Sequence, residues 1–134
     1  MSSYTSIQAF AQKCSTLPRI VFAILNAGIL KVEMEINKST GHEEVVQVNY
    51  LSTAILALLL LPILAAKNPG AKPGKITLVG SETAEWAKFD ERDCTPILPA
   101  FNESRFFDLQ DRYYTSKVAG GILPRLPLPH RASV

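Results

Sequence analysis

The stretch Arg112-Tyr113-Tyr114-Thr115-Ser116-Lys117 carries the clearest chemical signal in the chain. If it is helical, Tyr113 and Lys117 stand one turn apart on the same face. A free phenol titrates near pH ~10 and exchanges protons poorly at neutral pH, whereas a nearby ammonium lowers the pKa of a phenol. The spacing therefore makes these two residues candidates for general acid–base chemistry. In isolation, however, a Tyr-x-x-x-Lys match more often lies on a solvated helix face.

Two apolar runs upstream predict strands buried in a parallel sheet. Residues 20–25 are uninterrupted apolar and end in Asn26-Ala27-Gly28, and residues 75–81 end in the hydroxyl of Ser81. A helix between them would complete a βαβ unit with parallel strands and a right-handed connection. Asn26 and Ser81 are then expected at the same carboxyl edge of the sheet, where ligands bind in open α/β folds.

The connecting segment predicts a long helix over residues 45–66. Thr40-Gly41-His42-Glu43 is typical of a capping box, which would begin this helix after a partly exposed, extended piece over residues 31–37. Asn49 lies in the helix among apolar neighbours, so we expect it to be buried with hydrogen-bonded partners. A shorter amphipathic helix is predicted over residues 5–14.

The order of these elements resembles the short-chain dehydrogenase/reductase family. A strand followed by Asn-Ala-Gly, a helix with asparagine, a strand followed by serine and then Tyr-x-x-x-Lys occur in this sequence over about residues 6–117. The resemblance implies an α/β fold with a partial, incomplete Rossmann-like doubly wound parallel sheet. It also implies NAD(P)H-dependent reduction of a carbonyl, or oxidation of an alcohol, on a small apolar substrate of secondary metabolism. NADP is the preferred cofactor, with NAD as the alternative.

The resemblance assigns roles to individual residues. Tyr113 would be the general acid, Lys117 would lower the pKa of the phenol and bind the nicotinamide ribose, and Ser81 would hydrogen-bond the substrate oxygen. Asn49 would support a water-linked proton path to the lysine. Asn26, Ala27 and Gly28 would lie beside the cofactor, together with Tyr113 and Lys117. Residues 82–103 form an insert longer than is common in the family and resemble its retinol-dehydrogenase-like branch.

The chain departs from the family pattern at both ends. No Thr-Gly-x-x-x-Gly-x-Gly stretch precedes Ser6, so we expect a truncated member without the pyrophosphate-binding turn. Gly120-Gly121 and the prolines that follow predict that the helix stops after Lys117. The expected division is a domain over residues 1–117 and an extended or disordered proline-rich tail over 118–134. A sheet with an open edge also predicts homo-oligomerisation or instability.

Composition narrows the remaining possibilities. The 134 residues are 47% hydrophobic and 19% charged, as in a globular domain, and a net charge of +2 without a basic cluster argues against nucleic-acid binding. Cys14 and Cys94 are far apart and lack Cys-x-x-Cys spacing, so two reduced thiols in a cytoplasmic protein are expected, with a disulfide as the alternative. His42 and His130 are isolated, so no metal site is expected.

Two other interpretations remain open. Residues 50–66 are apolar but shorter than the ~20 residues that a membrane span requires, so a core helix is expected, with a small membrane-associated protein as the alternative. The Pro-x-x-Pro match at Pro124 and Pro127 would suit a non-catalytic fragment that binds an aromatic groove. The polar N-terminus predicts no secretory signal.

Overall fold

Helix α1, Tyr4–Ser15, forms where the sequence predicts an amphipathic helix. The Ser3 side chain caps its first turn by accepting from the Ser6 amide, and Ile7 and Ala11, one turn apart, are its buried residues. The computed structural model describes residues 1–68 and 74–122 of the chain.

The sheet has two parallel strands, as predicted. Strands β1, Phe22–Leu25, and β2, Lys75–Leu78, pair in register, with Leu25 opposite Leu78, so both end at the same level. Burial on both faces of β1 is wrong, because Phe22 and Ile24 are 64% and 67% exposed. Within the described ranges no layer covers this face. The arrangement is mixed α/β and is consistent with a partial Rossmann-like fold.

The connection between the strands is a helical segment with a wide central turn. Helix α2, Glu44–Val46, passes into a π-helical turn, Gln47–Ser52, and then into helix α3, Thr53–Ala66. The predicted capping box is wrong, because Glu43 itself is the capping residue. Its carboxylate accepts from the Val45 and Val46 amides at 3.0 and 2.9 Å.

Helices α1 and α3 pack together on the other face of the sheet. The core consists of apolar side chains from α1, β1 and α3. They are Ile7, Ala11, Leu25, Leu56, Leu60 and Leu64. By length and composition alone, Glu44–Ala66 is apolar enough to cross a membrane, with a mean hydropathy of 2.1. Core helices of soluble proteins share these properties, so the absence of a membrane span stays a prediction.

After β2 the chain forms an irregular insert and then helix α5. Between β2 and α5, which spans Leu109–Ile122, the chain forms three short 3₁₀ helices and a short α4, Ile97–Ala100. The 3₁₀ helices are Glu82–Trp86, Asp90–Asp93 and Ser104–Phe106.

The predicted stop after Lys117 is wrong, because α5 continues through both glycines. Ala119 is buried, and a Cβ on Gly120 would lie 4.0 Å from the Asn49 carbonyl oxygen. Tertiary packing here outweighs the low helix propensity of glycine. The Pro-x-x-Pro match lies outside the described residues.

Cys14 and Cys94 are free cysteines. In the part of the chain that the structure describes, no cluster of three or more His, Cys, Asp or Glu side chains could hold a metal ion.

Candidate active site

A cleft of about 370 Å³ lies at the carboxyl ends of the two strands. It receives residues from the turn after β1, from the end of β2 and from α5. The lining residues are Asn26, Gly28, Ile29, Leu30, Val79, Gly80, Tyr113 and Lys117. Parallel strands direct their carboxyl ends to one edge, which is why residues distant in sequence meet here.

Tyr113 and Lys117 share this cleft. The Lys117 Nζ atom lies 5.5 Å from the centroid of the Tyr113 ring, as expected for side chains one helical turn apart. Burial lowers the pKa of the Lys117 ammonium. Among the described residues no carboxylate forms an ion pair with it, so desolvation is not offset by an opposite charge.

Gly28 brings the turn after β1 close to α5. A Cβ at this position would lie 3.3 Å from Lys117 Nζ and 3.5 Å from Asn49 Oδ1. The absence of a side chain therefore allows the backbone of this turn to approach the ammonium closely. Asn26 lines the same cleft, whereas Ala27 is exposed and is not part of the lining.

Asn49 joins three parts of the site, and its predicted burial with bonded partners is confirmed. It is only 5% exposed and lies in the π-helical turn. Its Oδ1 accepts from the Ile29 amide at 2.8 Å, and its Nδ2 donates to the Ile29 carbonyl at 3.0 Å. Nδ2 also donates to Ser116 Oγ at 2.9 Å. One amide side chain thus connects the turn after β1 to α5.

Ser116 belongs to the hydrogen-bond network of the site, and the sequence patterns did not indicate it. It is buried, and its hydroxyl donates to the Tyr113 carbonyl oxygen at 2.7 Å while accepting from Asn49. Its place inside the Tyr-x-x-x-Lys stretch is visible in the sequence, but its partner 67 residues away is not.

Ser81 is bonded to its own segment. Its side chain caps the 3₁₀ helix Glu82–Trp86, accepting from the Thr83 amide at 3.3 Å, and the two hydroxyls lie 2.8 Å apart. Within residues 1–68 and 74–122 no hydrogen bond joins Ser81 to Tyr113 or Lys117. Ser81 directly follows Gly80, which lines the cleft.

A buried ion triad forms around Arg112, the residue that precedes Tyr113. The Arg112 guanidinium is fully buried, with Nη1 2.7 Å from Glu91 Oε1 and Nε 3.8 Å from Glu43 Oε2. It also lies over the Phe101 ring, 5.0 Å from the centroid. Its contacts to the carboxylates are ion pairs without hydrogen-bond alignment. Burial raises the pKa of Glu43 despite the two helix amides and the nearby Arg112 charge.

The sequence is similar to several known proteins. The chain is 51% identical to the short chain dehydrogenase/reductase mfmJ of Annulohypoxylon moriforme, over 88% of the chain and 35% of that protein. It is 49% identical to the short-chain dehydrogenase fogG of Aspergillus ruber, over 90% of the chain and 35% of that protein. It is 45% identical to the short chain dehydrogenase opdN of Penicillium oxalicum, over 88% and 40%.

The chain thus spans between 35% and 40% of the length of these three relatives. No protein-family profile matches it. No solved structure matches it either. The names of these relatives agree with the family that the order of the sequence motifs resembles. Over the segment that it shares with them, the chain is similar to proteins named as short-chain dehydrogenases or short-chain dehydrogenase/reductases.

Proposed function

We propose that this chain carries the proton-transfer site of an NAD(P)H-dependent oxidoreductase. The reaction is the reduction of a carbonyl, or in reverse the oxidation of an alcohol, on a small apolar substrate. The observation that carries the proposal is the meeting of Tyr113 and Lys117 in one cleft with the Asn-Ala-Gly turn. The family of the relatives supports the reaction type.

The cleft suits the nicotinamide end of such a cofactor. Its volume of about 370 Å³ lies toward the lower end of ligand pockets, which run from ~300 to ~1,000 Å³. The cleft that Gly28 lines would admit a ribose, with Lys117 Nζ and the Asn26 amide as hydrogen-bonding groups. When bound, the cofactor supplies the hydride. We propose NADP rather than NAD.

Tyr113 and Lys117 would handle the proton. As the substrate carbonyl becomes an alkoxide, negative charge builds on its oxygen, and the Tyr113 hydroxyl donates a proton there. The Lys117 ammonium then stabilises the phenolate that remains. Because burial lowers the pKa of Lys117, its ammonium also releases a proton more readily than an exposed lysine would.

Ser81 and Asn49 would support this step in different ways. If Thr83 donates to Ser81, the Ser81 hydroxyl keeps its own proton for the substrate oxygen. Asn49 uses its side chain to hold the turn after β1 against α5. Its proposed effect on proton transfer is therefore through the position of Lys117. We further propose a cytoplasmic location and no nucleic-acid partner.

The test is NADPH-dependent reduction of aldehydes and ketones, followed as loss of absorbance of the reduced nicotinamide. Tyr113→Phe removes the proton donor and should lower turnover by at least about a hundredfold, the low end of the contribution of general acid catalysis. Tyr50→Phe, which removes a half-buried phenol outside the cleft, should leave turnover unchanged.

Equal turnover of the Tyr113→Phe variant and the unchanged chain would refute the proposal. Binding of NADPH without any turnover would favour the alternative of a non-catalytic chain.

A further inference from the structure

Three aromatic rings contact one another in a row that leads from the surface to the cleft. The Trp86 ring lies edge-on to Tyr114 with centroids 5.8 Å apart and planes at 82°. Tyr114 in turn lies edge-on to Tyr113, with centroids 6.4 Å apart and planes at 73°. Such edge-to-face pairs are favourable geometries for aromatic rings, and this series ends at the phenol of the proposed site.

Trp86 is exposed although its segment is firmly anchored. At the outer end of the series, this residue is 61% exposed. The Ser81 cap fixes the start of its 3₁₀ helix. Two residues after Trp86, the Lys88 amide donates to Asp111 Oδ1 at 2.6 Å at the start of α5. Tryptophan and tyrosine are enriched at interfaces, so an exposed indole on an anchored segment, next to a tyrosine ring, is a candidate binding surface.

The residues beside Trp86 limit the charge of a ligand. Glu82 and Glu85 lie in the same 3₁₀ helix and are exposed, so they would repel an anionic ligand. A neutral molecule has no such penalty. The ring surface itself favours flat aromatic groups, which pair with indole and phenol edges and faces.

We propose that Trp86 and Tyr114 bind the neutral aromatic body of the carbonyl substrate. The substrate carbonyl would then lie at Tyr113, the next ring in the series. This inference rests on the proposed function for its reaction, and it adds the substrate class and two specificity-determining residues. In this inference, the insert holds Trp86 against Tyr114 of α5, and the two rings form the binding surface.

The experiment uses two ketones with equal numbers of carbon atoms, acetophenone and cyclohexyl methyl ketone. Trp86 is the single tryptophan in the chain, so its indole N–H gives one assigned resonance in a ¹⁵N-labelled sample. Acetophenone should shift this resonance in a saturable manner and bind about three- to tenfold more tightly than the cyclohexyl ketone. Equal affinities for the two ketones, or an indole resonance that does not move, would overturn the inference.

Variants of Tyr114 keep the indole reporter. Tyr114→Leu should remove most of the preference for acetophenone, and Tyr114→Phe, which keeps the ring, should retain it. Phe22→Leu is the matched control, because Phe22 is 64% exposed but lies at the amino end of β1, away from the cleft. If Tyr114→Leu unfolds, Trp86→Leu measured by ligand-observed NMR replaces it. A preference that survives loss of either ring would also count against the inference.

The same samples separate this inference from the proposed function. Tyr113→Phe should leave acetophenone affinity within about twofold while abolishing reduction, because one ring is exchanged for another. If the unchanged chain binds the aromatic ketone selectively but does not reduce it, the proposed function is refuted and the inference stands. If the unchanged chain reduces both ketones with equal kcat/KM, the inference is refuted and the proposed function stands.

Discussion

The pKa of Lys117 depends on the burial of its side chain. Its ammonium is half-buried in the cleft near the Tyr113 ring, and burial lowers its pKa from the ordinary value of 10.5. Folding therefore carries a cost while this group is charged. The cost is present at neutral pH and is relieved as the pH rises, because the unfolded chain then binds the proton more tightly than the folded chain.

A Lys117→Met variant should reveal this cost. Stability of the unchanged chain should rise relative to the variant as the pH increases from 7 toward 10.5, since the unfolded state binds more protons in that window. Urea unfolding of both chains at several pH values measures the difference, in which the other titrating groups largely cancel. A difference that does not change with pH would show that burial of Lys117 is unimportant for stability.

Single residues also mark what the sequence can and cannot predict. The burial and bonding of Asn49 are predictable because a polar amide among apolar neighbours must find partners. The triad of Arg112, Glu43 and Glu91 is not predictable, because its members are distant in sequence and each lies in an ordinary polar context. Pairing of buried charges is decided by tertiary structure, which no local pattern records.

At the scale of elements, β1, β2 and α1 follow from local patterns of apolar residues. The wide π-helical turn Gln47–Ser52 does not, because no residue type or period distinguishes it from an ordinary helical turn. The end of α5 escapes prediction for a related reason. Two glycines weaken a helix locally, but the packing of Ala119 and Gly120 maintains it.

Two glycine-to-alanine changes should have opposite effects on stability. Gly74 precedes β2, and a Cβ there would lie 2.7 Å from the Ile20 carbonyl oxygen and from Leu64 Cδ2. Gly74→Ala should therefore destabilise the fold by about 1–3 kcal/mol. Gly121 lies in α5, and among the described residues a Cβ there would meet no atom outside its own helix within 4 Å. Gly121→Ala should therefore stabilise the fold by about 0.5–1 kcal/mol. Thermal unfolding measures both, and a tolerated Gly74→Ala would contradict the tight packing at this position.

At the scale of the whole molecule, the two-stranded sheet is covered on one face only by the described residues. Two-stranded sheets are marginally stable in water unless other elements cover them. The core lies on one side, between the sheet and helices α1 and α3, and the other side exposes Phe22 and Ile24. The homo-oligomer expected from the sequence stays a prediction, and this face is where association would be favourable.

Replacing Ile24 by lysine should weaken such association. The change places a charge on an exposed apolar face, so the dissociation constant should rise by about tenfold or more. Leu58→Lys, at a position 58% exposed on α3, is the control and should have little effect. Sedimentation velocity at several concentrations measures both variants. An unchanged chain that sediments as a monomer at every concentration would rule out the predicted oligomer.

The Arg112 triad has a consequence for exchanging segments between relatives. Glu91 belongs to the insert, Glu43 begins the long helix and Arg112 directly precedes Tyr113. An insert transplanted from another protein without an acid at the Glu91 position would leave the buried Arg112 guanidinium without its nearest carboxylate. Breaking a buried pair in this way commonly costs about 3–5 kcal/mol. In a chimera, the insert and helix α5 should therefore come from the same protein, so that Glu91 and Arg112 stay paired.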